Sequence, residues 1–174
     1  MKIILLDIDG VLNSAKYYKM ADRTKKDWNR FNPLAVEMIR RLLEEFDASI
    51  VISSTWRYGL VKELKNELNK SGLIKYLHKD WKTPQTYPIH RGTEIKMWLN
   101  NHPEVTDYVI IDDDENILEE QRNLFIRTDI KEGMTEEHYY KVRQIFQQDC
   151  PPIHPKRRGG GCWCEVRTHP TTYF

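Results

Sequence analysis

The sequence predicts an α/β fold in which a parallel sheet carries helices on both faces. Short apolar runs recur at 3–6 (IILL), 48–52 (ASIVI) and 108–111 (YVII), with a weaker one at 124–126 (LFI), and helical patterns alternate with them. Strand alternating with helix requires crossover connections, so neighbouring strands run parallel and helices cover both sides. Each of the first three runs also ends in Asp or Ser, and ligands of such sheets bind beyond the carboxyl ends of the strands.

The first run opens into LLDIDGVLN, residues 5–13, where Gly10 suits a sharp turn. A helix begins at Asn32-Pro33, an N-cap followed by proline at the first helical position, and carries Leu34, Met38, Ile39, Leu42, Leu43 and Phe46 at helical spacing. The second run gives way to VISSTWR, 51–57, ahead of a helix from about Gly59 to Lys70 that Ser71-Gly72 stops. Residues 71–90 read as irregular. Helices follow from about Thr93 to Asn101, stopped before Pro103, and from Thr135 to about Gln148, with the strand at 108–111 and its acidic end VIIDDDEN, 109–116, between them.

A chain of 174 residues, 40% hydrophobic, is long enough to bury one good core and short for two, so one domain is expected over 1–149. A net charge of +1 excludes a global field that would drive the chain onto nucleic acid or membrane. The first apolar run is too short for a signal-peptide core or a spanning helix, and the expectation is a cytoplasmic protein. The cysteines, Cys150, Cys162 and Cys164, all lie in the last 25 residues, so the body of the fold owes nothing to disulfides. Composition shifts after Asp149. Residues 150–174 hold four of the eight prolines and Gly159-Gly160-Gly161, and four cations against one acid leave them at +3. This reads as an appended disordered tail. A zinc site from Cys162, Cys164, His154 and His169 is the alternative, which the CWC spacing disfavours.

Asp7 and Asp9, two apart on a strand that opens into a loop, can both face one pocket. Carboxylates that close repel unless a cation lies between them or one takes a proton, and Mg²⁺ suits oxygen ligands alongside waters and phosphate. Ordinary turn chemistry is the competing explanation. Ser53, Ser54 and Thr55 offer hydroxyls and free N–H groups at a strand-to-helix junction, which makes either an anion cradle or a simple helix cap. Asp112, Asp113 and Asp114 would repel one another without a cation. Arg91 and Lys96 in HRGTEIKMWL, 90–99, could balance the charge or could simply be solvated.

The order of acid pair, hydroxyl, cation and acid cluster resembles the haloacid dehalogenase (HAD) superfamily of phosphotransferases. The set DIDGVLN, ISSTWR, RGTEIKMWL, YVIIDDD and FIRTDIKEGMTEE is similar, more narrowly, to the small HAD domains grouped with Swiss-army-knife RNA-repair proteins. That resemblance spans residues 1 to about 149 and implies a Rossmann-like sheet with a minimal cap. It implies that Asp7 attacks phosphorus to form an aspartyl phosphate while Asp9 protonates the leaving oxygen and then deprotonates water. Mg²⁺ would be held by Asp7, the backbone carbonyl of Asp9, and Asp112 or Asp113. Ser53 with the Ser54 N–H would hold phosphoryl oxygens. Arg91 is preferred as the cation, with Lys96 and then Lys82 behind it.

The two gaps where such proteins carry caps are small here, so the pocket should admit a large phosphorylated substrate. The first gap, 14–32, holds Lys16, Lys19, Arg23, Lys25, Lys26 and Arg30 against Asp22 and Asp27, interleaved with Tyr17, Tyr18, Trp28 and Phe31. Basic residues among aromatics suit a single-stranded RNA or DNA end. A solvated loop with its aromatics packed on the body is the alternative. Gly10, Thr55, Trp56 and Arg57 lie where they could extend the phosphate site into a groove, although Trp56 could equally belong to the core. The leading expectation is a Mg²⁺-dependent phosphomonoesterase acting on a polynucleotide 3′-phosphate or other nucleic-acid end, cytoplasmic and not membrane-bound. A nucleotidase acting on nucleoside monophosphates and a noncatalytic nucleic-acid end-binding module are the alternatives. A receiver-type signalling domain is disfavoured, because there the phosphorylated Asp lies mid-chain.

Overall fold

The computed structural model describes residues 1–21, 24 and 29–147. Its order is β1 (Lys2–Leu6), α1 (Ala15–Met20), α2 (Pro33–Phe46), β2 (Ala48–Ile52), α3 (Trp56–Gly59), α4 (Val61–Lys70), β3 (Leu77–Lys82), α5 (Arg91–Asn100), β4 (Asp107–Asp112), β5 (Phe125–Arg127) and α6 (Glu136–Gln147). The five strands form one all-parallel sheet in the order β3-β2-β1-β4-β5. The chain winds from β1 outward to β3, then crosses to the other side of β1 to lay down β4 and β5. The strand order therefore reverses between β1 and β4, and in such sheets that switch point opens a crevice beyond the strand ends.

The sheet buries both faces, which is why its central strands read as unbroken apolar runs. Ile4, Leu6, Ile50, Ile52, Val109 and Ile111 face the layer containing α2, α4 and α6. Ile3, Leu5, Val51 and Ile110 face α5 through Ile95 and Trp98. Helix α2 is set by its ends: the Asn32 side chain accepts from the Leu34 N–H at 3.1 Å, Pro33 follows, and Asp47 closes it at φ +48°.

Several expectations shift. Leu34 is 73% exposed, because the buried stripe of α2 runs through Ala35, Ile39, Leu42 and Leu43 and Leu34 lies beside it. The helix read from about Gly59 to Lys70 is α4, which starts at Val61, and a separate short helix, α3, precedes it across Leu60. The stretch read as irregular contains β3, LHKDWK, an edge strand whose one buried residue is His78, so it shows no apolar alternation. The first gap contains the six-residue α1, whose N-cap is Ser14. Arg23, Lys25, Lys26, Trp28, Asp22 and Asp27 lie outside the described residues, as does the 150–174 tail with its alternative zinc ligands. Among the described residues, no helix is long and apolar enough to cross a membrane.

Candidate active site

Residues at the carboxyl ends of three neighbouring strands converge by alternation. Leu5, Val51 and Ile110 point to the α5 face, so Asp7, Ser53 and Asp112, each two residues further on, point the same way. The ladder continues just past the strands, with the Asp7 N–H donating to the Ile111 carbonyl and the Ser53 N–H to the Leu6 carbonyl, both at 3.0 Å. Asp7 and Asp112 thus stand side by side at the switch point. One oxygen from each of Asp7, Asp112 and Asp113 falls within 4.8 Å of the others.

Arg91, the first residue of α5, enters this cluster from above. Its Nη1 donates to Asp7 Oδ1 at 3.1 Å and lies 2.9 Å from Asp112 Oδ2, an ion pair bent too far to be a hydrogen bond. Gly92 makes the approach possible. A Cβ there would lie 2.4 Å from the Leu118 nitrogen, whereas glycine lets its N–H reach the Asn116 carbonyl and its carbonyl accept from Gln121 Nε2, both at 2.9 Å. The start of α5 is thereby clamped to the loop that follows the acids. Gly10 does the same on the other side: at φ +70° its missing Cβ would meet Asp113 Cγ at 2.7 Å.

Burial and mutual repulsion govern the charges. Asp7 is raised above the ordinary carboxylate value by burial, against which Arg91 and a hydrogen bond from Ser54 work. Asp112 is pushed up to about 7 by burial and by Asp7, and Asp113 rises for the same two reasons. Burial opposes the Arg91 charge, but Asp112 and Asp7 outweigh it and raise its pKa. Three acids held up in this way are short of positive charge, and their hard oxygen donors fit a divalent cation such as Mg²⁺. The Asp9 carboxylate lies outside the trio. It is exposed, and both its oxygens are held at 2.8 Å, Oδ1 by Asn13 Nδ2 and Oδ2 by Trp56 Nε1.

The remaining candidates divide. Ser54 reaches Asp7, while the Ser53 hydroxyl is fully buried on the same face and has no partner among the described residues. Thr55 is exposed at the start of α3. Trp56 is 6% exposed and packs on Phe31 at 6.2 Å between ring centres, so it belongs to the core and offers its N–H to Asp9 instead of a stacking face to a groove. Arg57 turns inward: its guanidinium donates to the carbonyls of Ser53, Ser54, Thr83 and Pro84 and pairs with buried Glu94 at 2.6 Å. It holds the β2–α3 turn to α5 and lines no groove, because one guanidinium spends its donors on four carbonyls and a buried carboxylate. Lys96 is exposed and pairs with Glu120 at 2.7 Å, one helical turn too far along α5 to meet the acids. Lys82 is exposed at the end of β3. The roles of Asn13 and Glu94 escaped the sequence reading. Glu94 left one trace, an acid set between Gly92 and Ile95 on the sheet-facing side of its helix.

A family model described as "HAD domain in Swiss Army Knife RNA repair proteins" matches residues 3–139. Comparison with curated proteins and with solved structures returned no match.

Proposed function

This chain belongs to the family of HAD domains in Swiss Army Knife RNA repair proteins, and from that premise we propose that it is a metal-dependent phosphomonoesterase acting on a polynucleotide 3′-phosphate. The observation that carries the reading is the convergence of Asp7, Asp112, Asp113 and Arg91 at the switch point, with a separately held Asp9 at its open side.

Asp7 is the nucleophile. Its carboxylate forms a bond to phosphorus as the bond to the leaving oxygen breaks, and the leaving oxygen takes a proton from Asp9. Asp9 then removes a proton from water, whose oxygen displaces the Asp7 carboxylate from phosphorus and releases phosphate. Asn13 and Trp56 fix the carboxylate that shuttles this proton, leaving it little rotational freedom to spend at the transition state. Arg91 and Ser54 hold the Asp7 carboxylate in place by hydrogen bonds, the former at Oδ1. The Ser53 hydroxyl and the N–H groups that follow it at the β2–α3 turn bind phosphoryl oxygens. Mg²⁺, held by Asp7, Asp112 and Asp113, would supply charge neutralisation at the transferring phosphoryl group.

The test is phosphate release, with and without Mg²⁺, from a 3′-phosphorylated oligonucleotide, a nucleoside monophosphate and an aryl phosphate. The reading requires Mg²⁺-dependent release with the oligonucleotide preferred, and loss of all three activities in Asp7→Asn. Preference for the monophosphate would point to a nucleotidase. Wild-type rates in Asp7→Asn would remove the nucleophile assignment.

A further inference from the structure

We infer that a single-stranded polynucleotide leaves the acid site across the carboxyl ends of β2 and β3 and onto α4, over a stripe of cations laid on aromatic rings. This rests on the phosphatase reading for the identity of the terminal group, but the stripe stands on its own geometry. Arg30 lies over Trp56 at 5.6 Å, and Trp56 is the residue that holds Asp9. Two residues further on, Tyr58 donates its hydroxyl to the Thr83 carbonyl at the end of β3. Lys82, the last residue of β3, lies 5.9 Å from the Tyr58 ring and 5.5 Å from Trp81. Lys65 of α4 covers Trp81 at 5.4 Å.

The order of these groups follows the order of the sheet. β1 ends at the acids, β2 runs into Trp56 and Tyr58, and edge strand β3 ends at Lys82, so the stripe spans two strand spacings, about 10 Å, before it reaches α4. A few nucleotides cover that distance.

Charge identifies the occupant. Among the described residues Arg30, Lys65 and Lys82 form no ion pair, as Lys19, Lys62, Lys75, Lys79 and Lys131 also do not; what sets the three apart is that they line the way out of the acid site beside Trp56, Tyr58 and Trp81. The Glu67 carboxylate beside Arg30 is occupied: Oε2 accepts the Arg30 backbone N–H at 2.8 Å and Oε1 pairs with Lys70 at 2.9 Å. Lys65 and Lys82 are exposed, and Arg30, Tyr58 and Trp81 are half-buried. Within the stripe Trp56, a core residue, serves only to seat Arg30; the uncompensated cations meet phosphates, and the half-buried Tyr58 and Trp81 rings beside Lys65 and Lys82 meet bases, which is what a single strand presents. A mononucleotide seated at Asp7 would leave Lys82 and Lys65 unused.

The experiment measures binding, so that turnover is not needed. In Mg²⁺ the full chain carrying Asp7→Asn is titrated with fluorescent single strands of two, four and six nucleotides ending in a 3′-phosphate. Affinity should rise with length. Adding Lys65→Ala and Lys82→Ala together should weaken the six-nucleotide complex roughly tenfold, and should reduce the slope of log K against log salt by about 1.4, or 0.7 per phosphate contact removed. Lys141→Ala, on α6, should change neither. Length-independent binding, or an unchanged salt slope in the double variant, overturns the path. Phosphate release by the wild-type chain from an aryl phosphate, measured in parallel, separates the two claims. Release without length dependence removes the path alone, and length dependence that needs the two lysines supports the path even where no phosphate is released.

Discussion

Removing metal should make this protein less stable as pH rises, and Asp112→Asn should abolish much of that loss. In the metal-free fold Asp112 holds its proton up to about pH 7, while its ordinary value is 3.8, because burial and the neighbouring Asp7 both penalise its charge. Between those two values the folded chain binds a proton that the unfolded chain has released. Stability then falls with increasing pH through the window and levels off above the folded value. The full window is worth on the order of 4 kcal/mol, and the part between pH 5.5 and 8 about 2 kcal/mol. Asp7 and Asp113 are shifted in the same direction, so the fall belongs to the three acids as a unit. His138, whose charged form burial disfavours, contributes with the opposite sign. Comparing the wild type with Asp112→Asn cancels that contribution. Urea unfolding in EDTA at pH 5.5 and 8.0 measures the effect: the wild type should lose about 2 kcal/mol more than Asp112→Asn across the interval. Equal pH slopes in the two proteins, or a wild type that gains stability relative to the variant, would refute the reasoning. Mg²⁺ binds the ionised acids, so its stabilisation of the wild type should be larger at pH 8.0 than at 5.5.

Trp56→Phe keeps a ring in the core but deletes the N–H that holds Asp9; phosphate release from a 3′-phosphorylated oligonucleotide should fall about 10- to 100-fold, and less from an aryl phosphate, whose leaving oxygen needs little help from an acid. Gly10→Ala places a Cβ 2.7 Å from Asp113 Cγ at φ +70°, and should cost roughly 1–3 kcal/mol in unfolding experiments while weakening the Mg²⁺-induced rise in melting temperature. Glu94→Gln leaves the buried Arg57 guanidinium without its counter-charge and should destabilise by about 3–5 kcal/mol, read by the same urea titration. Lys96→Ala loses an exposed pair and should stay within about 0.5 kcal/mol of the wild type.

What the sequence disclosed follows from which interactions are local. β1, β2 and β4 are buried on both faces, so each is written as a largely apolar run ending in its candidate site residue, Asp7, Ser53 or Asp112. β3 was illegible because an edge strand carrying Lys79, Asp80 and Lys82 has no apolar period to detect. α1 buries no side chain, so six residues showed no helical stripe. Its place at the head of the helix pointed to Arg91 ahead of Lys96. Strand alternation supplies the reason, since the acids face α5 and only the first turn of that helix overlies the strand ends. The inward turn of Arg57 and the bond from Trp56 to Asp9 join residues 37 and 47 positions apart, and nothing in local patterning encodes either.

The most direct test of the central claim is to quench the wild-type chain with acid during turnover of a 3′-phosphorylated oligonucleotide in Mg²⁺ and to map phosphoryl adducts by peptide mass. The account predicts an adduct on the peptide containing Asp7, absent from Asp7→Asn. Phosphate release with the adduct on another residue, or with Asp7 unmodified while Asp7→Asn turns over at the wild-type rate, would contradict it.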